Sequence, residues 1–344
     1  MRERINWVDV ARGIGVLLVI YGHGLAATPL RFIIYSFHMP LFFFLSGLVF
    51  HKRKNEKYIT ILKKDFKRIL IPYFIFAAIS FTLWLSNIPL DRIRWDLVLK
   101  QIIGIFYGSG NNGYLAINIV LWFLPCLFIV KQMFWFISRL EIKLIIPILF
   151  LFSALGYCFH VFLPTLKLPF GFESALTGVV FFGIGYLWHF IPEKYNQFFI
   201  KRTLPILLIL ISLTVIFSMA NFNLYNHQID LRLNRLNNYF LFYLASFSGI
   251  ISIVLVSMKL NKNKIMEYLG RNSLLLFVWH LVVFSYISDF VFLFLTSEKV
   301  IELRNVYLAP FYSVVSILVI LSISKFTRKT FYFFGLKLKL PTAK

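Results

Sequence analysis

The sequence predicts an all-α, polytopic integral membrane protein with ten transmembrane helices and both termini in the cytoplasm. Three observations carry this. First, 59% of the 344 residues are hydrophobic and only 15% are charged, against roughly 25% charged in a soluble domain, and the mean hydropathy is +0.78. Second, the apolar residues fall into ten runs, each near the ~20 residues that a helix needs to cross a bilayer. Third, lysine and arginine are unevenly divided between the connecting segments. With the N-terminus inside, 26 of the 36 fall on the cytoplasmic side and 9 outside, with Arg12 inside a span. Basic residues gather in cytoplasmic loops, so this asymmetry sets the orientation.

In chain order the runs are 7–28, 31–50, 69–86, 114–136, 142–163, 172–190, 203–221, 239–258, 272–296 and 304–324. They are read as helices because backbone in lipid must bond to itself. Barrel strands would alternate apolar and polar residues, and these runs do not. The charged start followed by an apolar run mimics a signal peptide, but Asp9, Arg12 and His23 interrupt it. It is therefore read as an uncleaved first helix. A single integral-membrane domain over 1–344 is expected, with a transmembrane core of about 7–324 and a basic cytoplasmic tail, 325–344. The segment 51–68 holds eight cations and suits anionic lipid headgroups. The net charge of +22 is explained by such loops, so nucleic acid is not an expected partner and membrane lipid is. Cys126 and Cys158 both lie in apolar runs and suggest neither a disulfide framework nor a metal site.

Charged side chains within a span cost at least ~2.5–3.5 kcal/mol at mid-helix, so each needs a reason. At 100° per residue, Arg12 and His23 lie ~20° from eclipsed, and Asp9 lies ~60° from Arg12 and ~40° from His23. The three share a face that must look into the bundle or a wet cavity. Arg12 sits near the cytoplasm and His23 some 16.5 Å further out. Gly13, Gly15, Gly22 and Gly24 allow close approach to this helix. Asp9 and Arg12 also make sense as a neutralising pair three residues apart. His38 belongs to Phe37-His38-Met39-Pro40-Leu41-Phe42-Phe43-Phe44-Leu45-Ser46-Gly47. It is equidistant with His23 from the turn near 28–31, which places both at one depth; Pro40 removes a backbone donor there. Glu173 opens the sixth run on the outer side, where a helix-start charge is also favourable. His280, eight residues into the ninth run, is placed nearer Arg12 than His23. Trp122-Phe123-Leu124-Pro125 reads as an aromatic anchor with a kink. The many phenylalanines read as lipid-facing.

No GxxxxGK[ST], GxGxxG, HExxH or CxxC pattern occurs, so nucleotide hydrolysis, Rossmann binding and zinc hydrolysis have no motif, and no metal is expected. Asp9-Val10-Ala11-Arg12-Gly13-Ile14 with Gly22-His23 resembles the Arg-x10-His signature of bacterial membrane acyltransferase family 3. The segment 37–47 is similar to its fucose 4-O-acetylase-like branch. Trp122-Phe123-Leu124-Pro125 and Leu269-Gly270-Arg271-Asn272-Ser273 with His280 are further similar stretches. The resemblance is sharpest over 5–50.

The resemblance implies a multi-pass protein of the bacterial cytoplasmic membrane. It implies transfer of an acyl group, usually acetyl from acetyl-CoA, to a sugar hydroxyl of an exported or lipid-linked glycan, with the family's arginine at Arg12 and its histidine at His23. In this reading Arg12, with Asp9 and His280, serves the phosphate-bearing donor near the cytoplasm. His23 is either the general base for the hydroxyl or the site of an acyl-histidine intermediate. His38 orients His23, donates to the oxyanion or holds the sugar. Glu173 and Trp122 are assigned to the acceptor. The competing class is an exporter or flippase for a polysaccharide or lipid-linked glycan, since intramembrane Arg, Asp and His also suit proton relays.

Overall fold

Each apolar run folds as a helix in the computed structural model, which describes residues 5–52, 56–110, 113–191 and 202–333. The chain opens with α1 (Asn6–Gly24) and α2 (Pro29–Leu48). α3 (Tyr58–Ser86) begins well before the apolar run at 69. Hydropathy registers only its membrane-facing part, whereas Lys63, Lys64 and Asp65 extend the helix into the headgroup region. A π turn over Phe66–Leu70 precedes Pro72; proline lacks the N–H to close an α turn there. Next come α4 (Trp95–Tyr107), α5 (Ala116–Ile137), α6 (Ile142–Phe162), α7 (Pro169–Phe190), α8 (Thr203–Tyr225) and α9 (Tyr239–Lys259). The chain continues through α10 (Lys264–Arg271), α11 (Ser273–Phe292), α12 (Ser297–Leu303) and α13 (Ala309–Phe333).

Among the described residues, nine helical stretches are long and apolar enough to cross a membrane. α1, the tenth expected span, is not one of the nine. Its Asp9, Arg12, His23 and four glycines dilute a helix that is otherwise of spanning length. α4 occupies a segment read as an outer loop. Its 13 residues give ~20 Å, too short for a ~30 Å core. It buries Val98, Gln101 and Gly104 while exposing Leu99, Ile103 and Phe106, as a helix lying in the interface would. The tail expected from 325 is helical as far as Phe333. Its remainder, with the basic start 1–4 and the segment 192–201, lies outside the described residues.

The chain divides into two compact units. One comprises Met1–Leu45, Leu187–Ile229 and Asn237–Lys344; the other comprises Ser46–Tyr186 and Asp230–Leu236. Within the first, α1 packs against α9, α10, α11 and α13. Two glycines fix the α1–α10 seam: a β-carbon at Gly13 would overlap the Met266 carbonyl oxygen, and one at Gly270 that of Asp9. Within the second, α5 packs against the π turn of α3. There the buried Asp65 accepts from Lys131 and, at 3.2 Å, from Gln132. A buried carboxylate needs such partners.

The phenylalanines are not all lipid-facing: Phe106, Phe150, Phe162, Phe240, Phe290 and Phe294 are exposed, as expected, and others are not. Phe43, Phe76, Phe134, Phe181, Phe182 and Phe242 are fully buried, filling the space between helices. Helices such as α8, of which only 17% is buried against 78% for α7, make much of the exposed surface. Pro40 leaves α2 continuous. It cannot donate to the Ser36 carbonyl one turn back, and the Ser246 hydroxyl of α9 donates to that oxygen instead, at 2.6 Å. The Ser218 hydroxyl of α8 donates to Ser36 Oγ at 2.8 Å. Small hydroxyl side chains thus satisfy the backbone group that proline releases.

Candidate active site

α1 sets the site, because its polar residues occupy one face as the 100° periodicity requires. At its N-terminal end Asp9 is buried and Arg12 half-buried. Arg12 Nη1 lies 3.4 Å from Asp9 Oδ1, and Arg271 Nε of α10 lies 3.8 Å from Asp9 Oδ2. Arg271 also donates from Nη2 to Glu267 Oε2 at 3.1 Å. The seam of Gly13 and Gly270 brings the two backbones close enough for this. The cluster joins two guanidiniums and two carboxylates, with both arginines about 30% exposed. It therefore presents planar donors toward solvent while its carboxylates hold them in place.

Further along α1 the histidines converge. His23 Nδ1 lies 2.8 Å from the Val19 carbonyl, and His38 Nδ1 lies 2.8 Å from that of Ile34. His280 Nδ1 reaches the Phe277 carbonyl at 2.8 Å. A carbonyl oxygen only accepts, so each Nδ1 carries the hydrogen and each neutral ring has Nε2 as its basic nitrogen. The His23 and His280 rings lie 5.0 Å apart, edge to face. Tyr35 bridges the other pair, its ring 5.7 Å from that of His23 and 4.8 Å from that of His38. His280 is fully buried, and its Nε2 has no hydrogen-bond partner among the described residues.

This corrects the depth read for His280, which stands against His23 and not near Arg12. Counting residues inward from the loop assumed that α11 starts at the membrane edge. Arg271 is level with Asp9, so α11 starts deeper. The expectation that His23 and His38 share a depth agrees with the structure, with Tyr35 between them. Polarity could not have singled out Tyr35, because a tyrosine three residues before His38 on a helix is ordinary. Arg271 was visible in the sequence only as part of a similar stretch, without a role.

Two further arginines close the C-terminal end of α1. Arg304 Nε donates to the Gly24 carbonyl and Arg31 Nη1 to that of Leu25, both at 3.1 Å. The Arg31 guanidinium also lies 5.0 Å from the Tyr35 ring centroid. Cations suit the negative end of a helix.

The two residues assigned to an acceptor lie in the second unit. Glu173 is 1% exposed. Its Oε2 accepts from the Leu168 N–H at 3.0 Å, while Oε1 is buried with no hydrogen-bond partner among the described residues. Glu173 thus holds the loop before α7. Trp122, at the head of the α-helical part of α5, is buried as well and packs beside Phe123, with ring centroids 6.1 Å apart. Neither presents an open surface. Among the described residues, no three His, Cys, Asp or Glu side chains are grouped to hold a metal ion.

The family model described as an acyltransferase domain matches residues 5–325. Neither the curated proteins nor the solved structures gave a match. The match covers both the arginine cluster and the histidine cluster, and by it the chain belongs to membrane acyltransferase family 3.

Proposed function

We propose that this membrane acyltransferase moves an acetyl group from acetyl-CoA to a sugar hydroxyl of an exported polysaccharide or lipid-linked glycan. The observation that carries the reading is the anchored imidazole of His23. Its Nδ1–H is committed to Val19, so Nε2 is the nitrogen that can take a proton. His23 Nε2 removes the hydroxyl proton as the oxygen attacks the thioester carbonyl. The carbon–sulfur bond then breaks, and the same proton returns to the departing CoA sulfur. His280 packs against His23 and fixes its ring. Two imidazolium cations 5.0 Å apart in an apolar core would repel strongly, so the pair is suited to carry one proton and to pass it on. His38 and Tyr35 line the other side and serve the acceptor or the developing oxyanion.

Arg12 is the donor-binding residue, with Arg271 beside it and Asp9 holding both. Guanidinium groups match phosphate with planar, paired donors. This assigns donor and proton transfer to two levels of α1, eleven residues or ~16.5 Å apart, close to the reach of an extended CoA arm. Glu173 supports the acceptor side through its loop. The topology that goes with this reading has ten spans, α1 included. Both ends lie in the cytoplasm of a bacterium, and the whole chain forms one acyltransferase domain in its inner membrane.

The test uses the purified protein in lipid nanodiscs with acetyl-CoA labelled in the acetyl group and a glycan acceptor. Label should appear in the glycan as a base-labile ester. In sealed vesicles, unlabelled glycan crossing the membrane without acetyl transfer would replace this reading with that of an exporter.

A further inference from the structure

The second unit holds a cavity of about 360 Å³ that the chemistry at His23 does not use. Its volume lies at the small end of ligand sites. Tyr107, Ser109, Tyr114, Thr165 and Lys167 are among its lining residues. They come from the end of α4, the loop that follows it, and the loop before α7. The charge asymmetry of the sequence assigns both loops to the outer face.

The cavity wall is built, not incidental. Gly104 lets α4 lie against the following loop, because a β-carbon there would overlap the Leu115 amide nitrogen. Gly108 ends α4 with φ +67°, a conformation that side chains disfavour, and a β-carbon there would also press on the Phe170 ring. Gln101 ties the loop down from inside, donating to the Gly113 carbonyl at 2.8 Å. The Tyr107 hydroxyl donates to the Lys167 carbonyl, so its ring is fixed from the opposite wall. Glu173 secures that wall through the Leu168 N–H.

The two tyrosine rings lie 6.0 Å apart and 31° from parallel. A molecule sandwiched between them would need about 7–8 Å, twice a normal carbon–carbon contact. They therefore form one shallow aromatic shelf, with the Lys100 ammonium 5.5 Å from the Tyr114 ring centroid. The electron-rich ring faces attract weakly positive C–H groups. Around the shelf stand the hydroxyls of Ser109 and Thr165 and the ammonium of Lys167. Burial pushes the Lys167 ammonium below the usual lysine value, with Glu173 and Asp230 pulling it back up. One of its hydrogens is donated to the Leu233 carbonyl at 2.6 Å. A C–H face on one side and hydroxyls on the rim is the shape of a pyranose.

Resting on the acyltransferase reading above, we infer that this cavity is a saccharide subsite for the acceptor, with one sugar ring lying on Tyr107 and Tyr114 and its hydroxyls directed at Ser109, Thr165 and Lys167. The test measures binding of a panel of methyl glycosides (hexose, N-acetylhexosamine and uronate) to the intact protein in nanodiscs by saturation-transfer NMR. At least one glycoside should bind. Tyr114→Ala should weaken that binding tenfold or more, Tyr114→Phe by less than threefold, and Lys167→Met about fivefold. With a glycan acceptor, Tyr114→Ala should raise the acceptor KM tenfold or more and leave the acyl-CoA KM unchanged. If Tyr114→Ala is not monodisperse, Lys167→Met carries the same measurement. Failure of every glycoside to bind, or equal binding to wild type and Tyr114→Ala, overturns the subsite while acyl transfer can still proceed. Tyr114-dependent glycoside binding without any acyl transfer would sustain the subsite and sink the transferase.

Discussion

His23, His38 and His280 share one local device: each bonds its Nδ1–H to a carbonyl of the preceding turn. Each ring is thereby oriented from within its own helix, which selects the nitrogen left as the base. Removing a general base typically lowers a rate by ~10²–10⁴. His23→Ala should do so while the protein remains in the membrane at its normal level. Steady-state acetyl transfer and immunoblotting of the same membranes read both quantities, and wild-type turnover in a well-expressed variant would refute the role. Much of this was legible in the sequence. Three ionisable groups on one face of an apolar helix declare themselves, because lipid penalises them so heavily. Beyond the local Asp9–Arg12 pair, what the sequence could not supply was the partners from other helices. Pairing of His23 with His280 depends on where α11 begins in depth, and that in turn depends on a contact between Arg271 and Asp9 that no local pattern encodes.

At the scale of elements, α10 shows two effects opposed. Gly270 sits in a helix, where exchange of glycine for alanine ordinarily gains about 1 kcal/mol. Yet its missing β-carbon is where the Asp9 carbonyl lies, and backbone cannot swing aside as a side chain does. Overpacking of that kind typically costs 1–3 kcal/mol or more, so the loss should outweigh the gain. Gly270→Ala should lower the thermal midpoint in detergent by several degrees, measured by fluorescence-detected size exclusion, and should impair acyl transfer through the displaced Arg271. An unchanged or raised midpoint would show that the seam yields. The run boundaries were readable within a few residues because hydrocarbon thickness sets them. α4 escaped because a short interfacial helix has no long apolar run. α3 was read too short because its cationic first turns look like a loop to any hydropathy measure.

For the whole molecule, the distribution of lysine and arginine carries a prediction about sidedness. Cys126 is buried and Cys158 exposed, and both would first be replaced to remove background. A cysteine at Ile265, which is 69% exposed on α10, should then react with a membrane-impermeant thiol reagent only from the cytoplasm. A cysteine at Leu90, 89% exposed before α4, should react only from outside. Labelling of both from one side would overturn the orientation that 26 cations against 9 demand. Composition fixed the class of the molecule because apolar surface of this extent has only lipid to face. It could not separate the buried phenylalanines from the exposed ones, since composition counts residues without knowing which flank of a helix they occupy. Nor could it foretell the aromatic shelf, which depends on Gly104 and Gly108 letting two segments meet.

The arrangement at Pro40 carries a direction in time. A chain that gained this proline without a hydroxyl at position 246 would leave the Ser36 carbonyl stranded in an apolar interior, a loss of a few kcal/mol. A chain that already held Ser246 would lose almost nothing, because that hydroxyl reaches the oxygen at 2.6 Å. The serine is thus the permissive change and the proline the dependent one. Once both are present, the serine can no longer be surrendered alone, and the pair behaves as a ratchet.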